Sequence, residues 1–291
     1  LRHDVVGIYT APDRPKGRGL RHSATFVKEY AAAKKIPVFQ QPSLRSLGVF
    51  REFRDLRADV AVVAAYGQKV PSELLEELPH GFLNVHPSLL PEYRGPSPVA
   101  TALIAGVQQT GVSLMVLDEG LDTGPILAQR TTGISRKDTG ETLLMRLFKL
   151  GGDLIRENLD AWVRGEVHAT PQDSTKATYT TKLEKKDGRA QWDLSAEELF
   201  RMHQAFTPWP GLYTQWKDKR LKLIDVYPMK STEGLPLGRV ISVDCDDAQM
   251  GIVTGEGLLC IKAVQLEGGK AMSTEEFLRG HRELMSATLP S

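Results

Sequence analysis

Short apolar runs alternate with amphipathic stretches up to about residue 135 of the chain. The apolar runs predict strands at residues 4–9, 36–39, 59–64, 81–85 and 112–117. The stretches between them predict helices near residues 24–35, 45–57, 72–78 and 97–105. Alternating strands and helices are typical of an α/β fold, so we expect a doubly wound parallel sheet with helices on both faces.

A long amphipathic helix is predicted from about residue 139 to residue 164. Asp138 followed by Glu141 predicts a capping box at its start, and Gly165 predicts its end. One face carries apolar residues at near-helical spacing: Leu143, Leu147, Leu150, Leu154, Ile155, Leu159 and Trp162. We interpret this face as core packing and not as a cofactor site.

The apolar periodicity lapses over residues 166–189, which predicts a linker between a first domain at 1–165 and a second domain at 190–291. In the second domain, Ser195 followed by Glu198 predicts the start of a short helix. Short strands are then predicted at residues 212–217, 221–227, 238–243, 249–253 and 258–265. Five short strands separated by turns suggest a small β-barrel of the OB-fold kind.

Composition fits a globular protein, with 41% hydrophobic and 25% charged residues among 291. No apolar run approaches the length of about 20 residues that a membrane helix needs, so we expect no membrane span. Two cysteines are too few for a disulfide framework, and no Cys/His spacing predicts a metal site. These features favour a reducing, cytoplasmic location.

Positive charge is concentrated locally although the net charge is only +1. Four basic residues lie close together in one glycine-containing segment: Arg14, Lys16, Arg18 and Arg21. Further basic stretches occur at residues 176–189 and 217–222. Such patches can attract a phosphate backbone. On charge alone, a solvated surface loop is an equally good interpretation.

The candidate chemistry lies in Asn84 and His86, which stand two residues apart at the end of an apolar run. In an extended strand, residues i and i+2 point to the same face, so the amide and the imidazole project side by side. Two such donors can hold an oxygen that gains negative charge. Asp122, in a turn bracketed by glycines, is the candidate partner carboxylate for His86. The three residues predict an acyl-transfer site.

The turn that follows His86 is rich in proline, and it fixes the backbone where the strand ends. Ligands bind at such strand ends in open α/β sheets. No serine or cysteine stands beside a suitable base, so no covalent intermediate is expected. We interpret Ser88 as a hydroxyl that stabilises the turn.

The segment Asn84-Val-His-Pro-Ser-Leu-Leu-Pro91 with Arg94-Gly95, followed by Leu121-Asp-Thr-Gly124, resembles the formyltransferases that use 10-formyltetrahydrofolate. Within that family, the loop at residues 9–19 and the turn Ala64-Ala-Tyr-Gly67 are similar to members that formylate the initiator methionyl-tRNA. Segments 191–195 and 206–210 share this similarity. The resemblance therefore extends over both predicted domains.

The resemblance implies a Rossmann-like catalytic domain and an OB-fold-like domain that supports tRNA. It implies that Asn84 and His86 stabilise the oxyanion formed on the formyl group, while Asp122 orients His86 or relays a proton through water. It also implies a folate site, formed by Ala64, Ala65, Tyr66, Gly67, Ser88, Leu89, Leu90, Pro91, Asp118, Glu119 and Gly120. The basic residues Arg14, Lys16, Arg18 and Arg21 would contact tRNA, with Arg18 the favoured contact. A monomer without a metal ion is expected.

Two alternatives remain open from the sequence. One is a sister formyltransferase or hydrolase that acts on a small amine or on water with the same folate site. The other is a catalytically inactive protein that binds tRNA or folate. Members of the family begin with a further strand, turn and helix before the position of Leu1, so we also expect this chain to lack a central strand and to fold poorly by itself.

Overall fold

The computed structural model describes residues 3–16, 21–230, 234–245 and 248–290. The chain divides into two compact units that alternate along the sequence. Unit 1 comprises Leu1–Arg94, Val112–Arg130 and Phe148–Ala177, and unit 2 comprises Gly95–Gly111, Thr131–Leu147 and Thr178–Ser291. The domain boundaries expected at residues 165 and 189 stay predictions.

The first elements of unit 1 are short. Strands β1 (Ile8–Tyr9) and β4 (Val38–Phe39) pair in parallel, and strands β2 (Arg14–Lys16) and β3 (Arg21–Ser23) form an antiparallel hairpin. The predicted helices are confirmed as α1 (Phe26–Ala33), α2 (Leu47–Asp55) and α3 (Ser72–Leu75) of unit 1, and as α4 (Pro98–Ala105), which belongs to unit 2. Thr25 and Ser46 begin α1 and α2 because their hydroxyls accept hydrogen bonds from backbone N–H groups of the first turn.

A four-stranded sheet carries the candidate site. Its order is β5 (Ala61–Val63), β6 (Phe82–His86), β7 (Gln109–Val116) and β8 (Ile126–Gly133). β5 pairs with β6 in parallel, but β6 and β7 are antiparallel, so the sheet is mixed and not fully parallel as predicted. β8 was not predicted, because an edge strand needs few apolar residues and its sequence is largely polar.

Helix α5 spans Gly140–Val163, close to the predicted helix. The predicted capping box is wrong: Thr139 and Thr142 cap each other reciprocally, each hydroxyl accepting a hydrogen bond from the other's backbone N–H. Asp138 is instead buried against Arg146, which supplies two hydrogen bonds to its carboxylate. Gly165 follows with φ +70°, as the predicted end requires.

The core-facing interpretation of the α5 stripe is confirmed by burial. Leu143 and Leu147 are fully buried, and Leu154 and Leu159 are buried as well. None of the helices in the described ranges combines the length and the hydrophobicity of a membrane span.

Unit 2 contains helix α6 (Ala196–Ala205), which begins at the predicted Ser195–Glu198 capping box. The five predicted strands are confirmed as β9 (Tyr213–Trp216), β10 (Lys219–Met229), β11 (Val240–Cys245), β12 (Ala248–Val253) and β13 (Leu258–Leu266). They form a curled antiparallel sheet in the order β11-β12-β13-β10-β9 around a core that includes Trp192, Leu221 and Ile261. Strand β14 (Met272–Ser273) and helix α7 (Thr274–Gly280) were not predicted.

Candidate active site

Strand β6 positions the first two candidate residues. Phe82, Leu83 and Val85 are buried, which fixes the strand between β5 and β7. Asn84 is half-buried at the middle of the strand, and His86 is its last residue. Extended geometry places their side chains on one face, as the sequence predicted.

His86 is buried, with only 4% of its surface exposed. Its Nε2 atom lies 3.0 Å from the backbone carbonyl oxygen of Tyr93. A carbonyl oxygen only accepts hydrogen bonds, so Nε2 carries a proton and donates it. The other ring nitrogen, Nδ1, lies 3.6 Å from Oδ2 of Asp122. Nδ1 is therefore the ring atom that remains for chemistry with Asp122.

Asp122 lies in the turn between β7 and β8, and its carboxylate is largely buried. Its φ of +53° is in the left-handed region, which is uncommon for residues other than glycine. The short distance confirms the expectation that Asp122 faces His86. The catalytic roles of both residues stay predictions.

Gly124 allows the Asp122 turn to approach β7 closely. A Cβ atom at this position would lie 1.8 Å from the Val116 carbonyl oxygen, so no larger residue fits without a shift of the backbone. On the exposed side of the turn, Asp118 accepts hydrogen bonds from the Gly120 N–H and the Thr123 hydroxyl. These contacts shape the predicted folate-binding segment at Asp118, Glu119 and Gly120.

The turn after His86 is held by two buried serines. The Ser88 hydroxyl donates to the Glu92 carbonyl oxygen at 2.7 Å, which confirms that it stabilises the turn. The Ser113 hydroxyl donates to the Ser88 carbonyl oxygen at 2.7 Å and accepts from the Leu90 N–H at 3.0 Å. The backbone from Ser88 to Pro91 is thus fixed against β7, with a cis bond before Pro91.

Sequence reasoning missed one residue of this environment entirely. Gln172 lies in the segment interpreted as a linker, yet its amide nitrogen donates to the carbonyl oxygens of Asp122, at 2.9 Å, and Gly124, at 2.7 Å. Its amide oxygen accepts two hydrogen bonds from Arg94, which is buried. No periodic pattern marks such a residue, because its contacts are all distant in sequence.

The remaining predicted folate residues follow β5. Ala64, Ala65, Tyr66 and Gly67 continue the chain from Val63, which pairs with Asn84 in the sheet. Ala65 and Gly67 have φ of +47° and +82°, so the backbone turns sharply beside the end of β6. The Tyr66 hydroxyl is buried without a hydrogen-bond partner in the described ranges, and burial raises its pKa. A buried hydroxyl of this kind is available to a ligand.

A cavity of about 410 Å³ opens in unit 1 away from His86. It is lined by Arg45, Phe50, Lys69, Pro71, Ser72, Glu73 and Glu119. Glu119 is the one predicted folate residue among them. We therefore assign the site from the geometry around His86 and not from the position of this cavity.

The basic segment forms a hairpin, which the sequence did not predict. Its strands pair Lys16 with Arg21 and Arg14 with Ser23, and Arg18 lies outside the described residues. Asp13 fixes the base of the hairpin, because its carboxylate accepts hydrogen bonds from Lys28 of α1 and from Gln40. Three of the predicted tRNA contacts, Arg14, Lys16 and Arg21, thus lie in the paired strands that follow this anchor.

Comparison with known families matches both parts of the chain. Residues 1–159 match the formyl transferase family, and residues 182–282 match the formyl transferase C-terminal domain. The methionyl-tRNA formyltransferase of Myxococcus xanthus is 42% identical, over 96% of this chain and 88% of the relative. The enzyme of the same name from Thermus thermophilus is 42% identical over 96% of this chain and 90% of the relative.

Solved structures show a similar fold at lower identity. HypX from Aquifex aeolicus, in complex with tetrahydrofolic acid, aligns with a TM-score of 0.63 at 21% identity, covering 86% of this chain but only 43% of HypX. An N-formyltransferase from Helicobacter canadensis, in complex with folinic acid and dTDP-3-aminofucose, has a TM-score of 0.59 at 18% identity, covering 82% of this chain and 84% of that protein. The two domain matches and the curated relatives show that the chain belongs to the formyl transferase family, in the group of methionyl-tRNA formyltransferases.

Proposed function

We propose that this protein transfers a formyl group from 10-formyltetrahydrofolate to the amino group of the initiator methionyl-tRNA. Family membership supports a one-carbon transferase with a folate donor. The observation that carries the proposal is the pairing of His86 Nδ1 with the Asp122 carboxylate at 3.6 Å, on the strand that also presents Asn84. Two donors and a carboxylate at one strand end meet the needs of acyl transfer between amines.

The reaction exchanges one carbon–nitrogen bond for another. The uncharged methionyl amine attacks the formyl carbon, a new C–N bond forms, and the carbonyl oxygen gains negative charge. The bond to the folate nitrogen then breaks. The attacking amine loses one proton and the departing folate nitrogen gains one, so the exchange is balanced without an oxidant, a reductant or a metal.

The side chains divide this work. The Asn84 amide N–H and an N–H at His86 Nδ1 donate to the developing oxyanion, a contribution of about 10²–10³ in rate for one donor. Because Nε2 of His86 is held by the Tyr93 carbonyl oxygen, the ring cannot rotate away from this position. Asp122 orients the ring and accepts the proton of the attacking amine through a water molecule.

The folate would lie across the ends of β5 and β6. The turn at Ala64–Gly67, the fixed backbone at Ser88–Pro91 and the turn at Asp118–Gly120 all adjoin these strand ends or the Asp122 turn. Their backbone groups suit the polar edge of a pterin, and the unpartnered Tyr66 hydroxyl offers a further hydrogen bond. This arrangement leaves the formyl group beside Asn84 and His86.

The concentration of positive charge in the segment of the β2–β3 hairpin supports a tRNA as the acceptor. Arg14, Lys16, Arg18 and Arg21 fall within eight successive positions of the chain. A small amine acceptor gives no reason for such a concentration of positive charge, whereas the phosphates of an acceptor stem attract it electrostatically. We extend the proposal to a monomer that acts in the cytoplasm, where charged tRNA and folate are both present.

A formylation assay tests the proposal. Purified protein is mixed with 10-formyltetrahydrofolate and charged initiator methionyl-tRNA, and formyl-methionine is measured after hydrolysis of the ester. Parallel reactions contain free methionine, an amino-sugar nucleotide, or no acceptor, in which case released formate is measured. We expect product only with the charged tRNA. Transfer to a small amine, or release of formate at a comparable kcat/KM, would contradict the proposed acceptor.

A further inference from the structure

A closed ring of contacts surrounds the candidate catalytic pair. His86 donates through Nε2 to the Tyr93 carbonyl oxygen, and Arg94, the next residue, donates to the amide oxygen of Gln172. Gln172 donates in turn to the carbonyl oxygen of Asp122. The Asp122 carboxylate completes the ring of contacts, because its Oδ2 atom lies 3.6 Å from Nδ1 of His86. Both nitrogens of the imidazole are thus held by one connected set of residues.

The orientation of the Gln172 amide is fixed by its partners. Arg94 has donors only, so it must face the amide oxygen, at 3.1 Å from Nε and 2.7 Å from Nη2. The carbonyl groups of Asp122 and Gly124 are acceptors only, so they must face the amide nitrogen, at 2.9 Å and 2.7 Å. This position therefore requires an acceptor for Arg94 and a donor for the two carbonyl oxygens. The Gln172 amide supplies both, whereas a carboxylate lacks the donor and an ammonium group lacks the acceptor.

The Asp122 turn needs such support. A residue other than glycine in the left-handed region persists only where its surroundings hold it there. Gln172 binds the two carbonyl groups on either side of Thr123, and so it fixes the backbone that aims the Asp122 carboxylate. Thr170 anchors the Gln172 segment to the start of β8 through two backbone hydrogen bonds with Ile126, each of 2.8 Å.

We propose that Gln172 is a positioning residue for formyl transfer, which aligns Asp122 with His86 and connects this turn to the Arg94 segment. The inference rests on the proposed function, because alignment matters only if Asp122 acts in the reaction. It does not require Gln172 to touch either substrate. Its loss should therefore lower kcat while the KM values for folate and tRNA stay nearly constant.

A double-mutant cycle tests this role. We expect Gln172→Ala to lower kcat by about 10–100-fold, since a shift of about 1 Å in a reacting group has an effect of that size. If Gln172 acts through Asp122, adding Gln172→Ala to Asp122→Asn should lower kcat by less than about twofold more, because the two residues form one unit. Losses that multiply in the double variant, or an unchanged kcat in the single variant, would overturn the proposal.

A second variant and a matched control separate positioning from folding. Gln172→Glu keeps an oxygen for Arg94 but removes both donors to the Asp122 turn, so it should lower kcat like Gln172→Ala. Asp173→Ala removes the cap that the neighbouring carboxylate forms with Thr175 and leaves the Gln172 contacts in place. We expect the control to retain its kcat, and thermal melting to show all variants folded.

A spectroscopic arm is independent of activity. The ¹⁵N chemical shift of His86 Nδ1 should change in Gln172→Glu as the Asp122 carboxylate moves, while the shift of Nε2 stays constant. An unchanged Nδ1 shift would overturn the positioning role even in a protein without formyl transfer. A wild-type protein that does not formylate methionyl-tRNA would refute the proposed function instead, so the two failures are distinguishable.

Discussion

The imidazole Nδ1 of His86 lies 3.6 Å from Oδ2 of Asp122, and hydrogen bonds to backbone carbonyl groups fix both residues in this arrangement. The Tyr93 carbonyl oxygen accepts a hydrogen bond from Nε2 of His86, and the Asp122 carbonyl oxygen accepts one from the Gln172 amide. This arrangement leaves Nδ1 as the one ring atom directed at the carboxylate. The proposed chemistry therefore requires an N–H at Nδ1.

Replacement of Asp122 by asparagine tests that dependence. The amide of Asn is close in shape and tolerates the left-handed backbone conformation, so folding should be retained. Its N–H would donate to Nδ1 and leave the ring without a proton there. We expect kcat to fall by about 10²–10³-fold, the effect of one lost oxyanion donor. Steady-state kinetics with both substrates varied should show nearly unchanged KM values, and a loss confined to KM would contradict this role.

Two adjacent glycines in α5 provide a matched test of packing under β6. A Cβ atom at Gly151 would lie 2.3 Å from Cγ1 of Val85, whereas a Cβ atom at Gly152 would meet nothing within 4 Å. We expect Gly151→Ala to lower the free energy of unfolding by about 1–3 kcal/mol through overpacking. Gly152→Ala should raise it by about 0.5–1 kcal/mol, because alanine favours the helix. Urea denaturation measures both, and equal effects would show that α5 does not pack on Val85 as described.

The basic hairpin should control the use of tRNA and not that of folate. We expect Arg18→Ala to raise the KM for methionyl-tRNA and to reduce the slope of log kcat/KM against log salt by about 0.7–0.9, the value for one lost phosphate contact. The KM for folate should not change. Lys149→Ala, at an exposed position of α5, is the control of equal charge. The same slope change in the control would mean that only net charge matters.

Asp138 should make the stability of the protein depend on pH. Burial acts to raise its pKa, but hydrogen bonds from Arg146 and the Ser135 N–H outweigh this, and the pKa lies below its ordinary value of 3.8. A carboxyl group with a lowered pKa stabilises the fold above the unfolded pKa, and this contribution is lost as the pH falls through the folded pKa. We expect Asp138→Asn to lower the free energy of unfolding by about 1–3 kcal/mol near neutral pH.

The difference between wild type and Asp138→Asn should shrink as the pH falls below 3.8, because the unfolded chain takes up its proton there and the folded carboxyl does so only at its lower pKa. Glu275→Gln removes an exposed ion pair with Arg279 and should change stability by less than about 1 kcal/mol at any pH. Denaturation curves over a pH series measure both effects. A constant difference for Asp138→Asn at all pH values would contradict the ion-pair account.

The candidate site was partly predictable because some of its geometry is local. Asn84 and His86 are two positions apart, and the period of a strand alone places them on one face. The glycine-bracketed turn identified Asp122 as a candidate in the sequence. Its distance from His86 depends on the antiparallel pairing of β7 with β6, which is not a local feature. Gln172 had no local signal, since its partners Arg94 and Asp122 lie 78 and 50 positions away.

The fold was predictable where burial imposes a period, and less so elsewhere. The apolar stripe through Leu143 and Leu147 predicted helix α5 correctly. The residue that caps the helix depended on whether the Asp138 side chain faces the helix N-terminus or Arg146. Burial against Arg146 left Thr139 as the cap. Strand β8 escaped prediction because pairing on one side of a sheet stabilises a polar sequence through backbone hydrogen bonds, which leave no pattern in the side chains.

The most direct test of the account is the single-turnover rate of formyl transfer in Asn84→Ala, measured with enzyme in excess and both substrates saturating. We expect this rate to fall by about 10²–10³-fold, because the variant removes one oxyanion donor, while binding of folate and methionyl-tRNA is unchanged. A rate within about threefold of wild type would show that Asn84 does not stabilise the oxyanion, and would contradict the assignment of the active site to this end of β6.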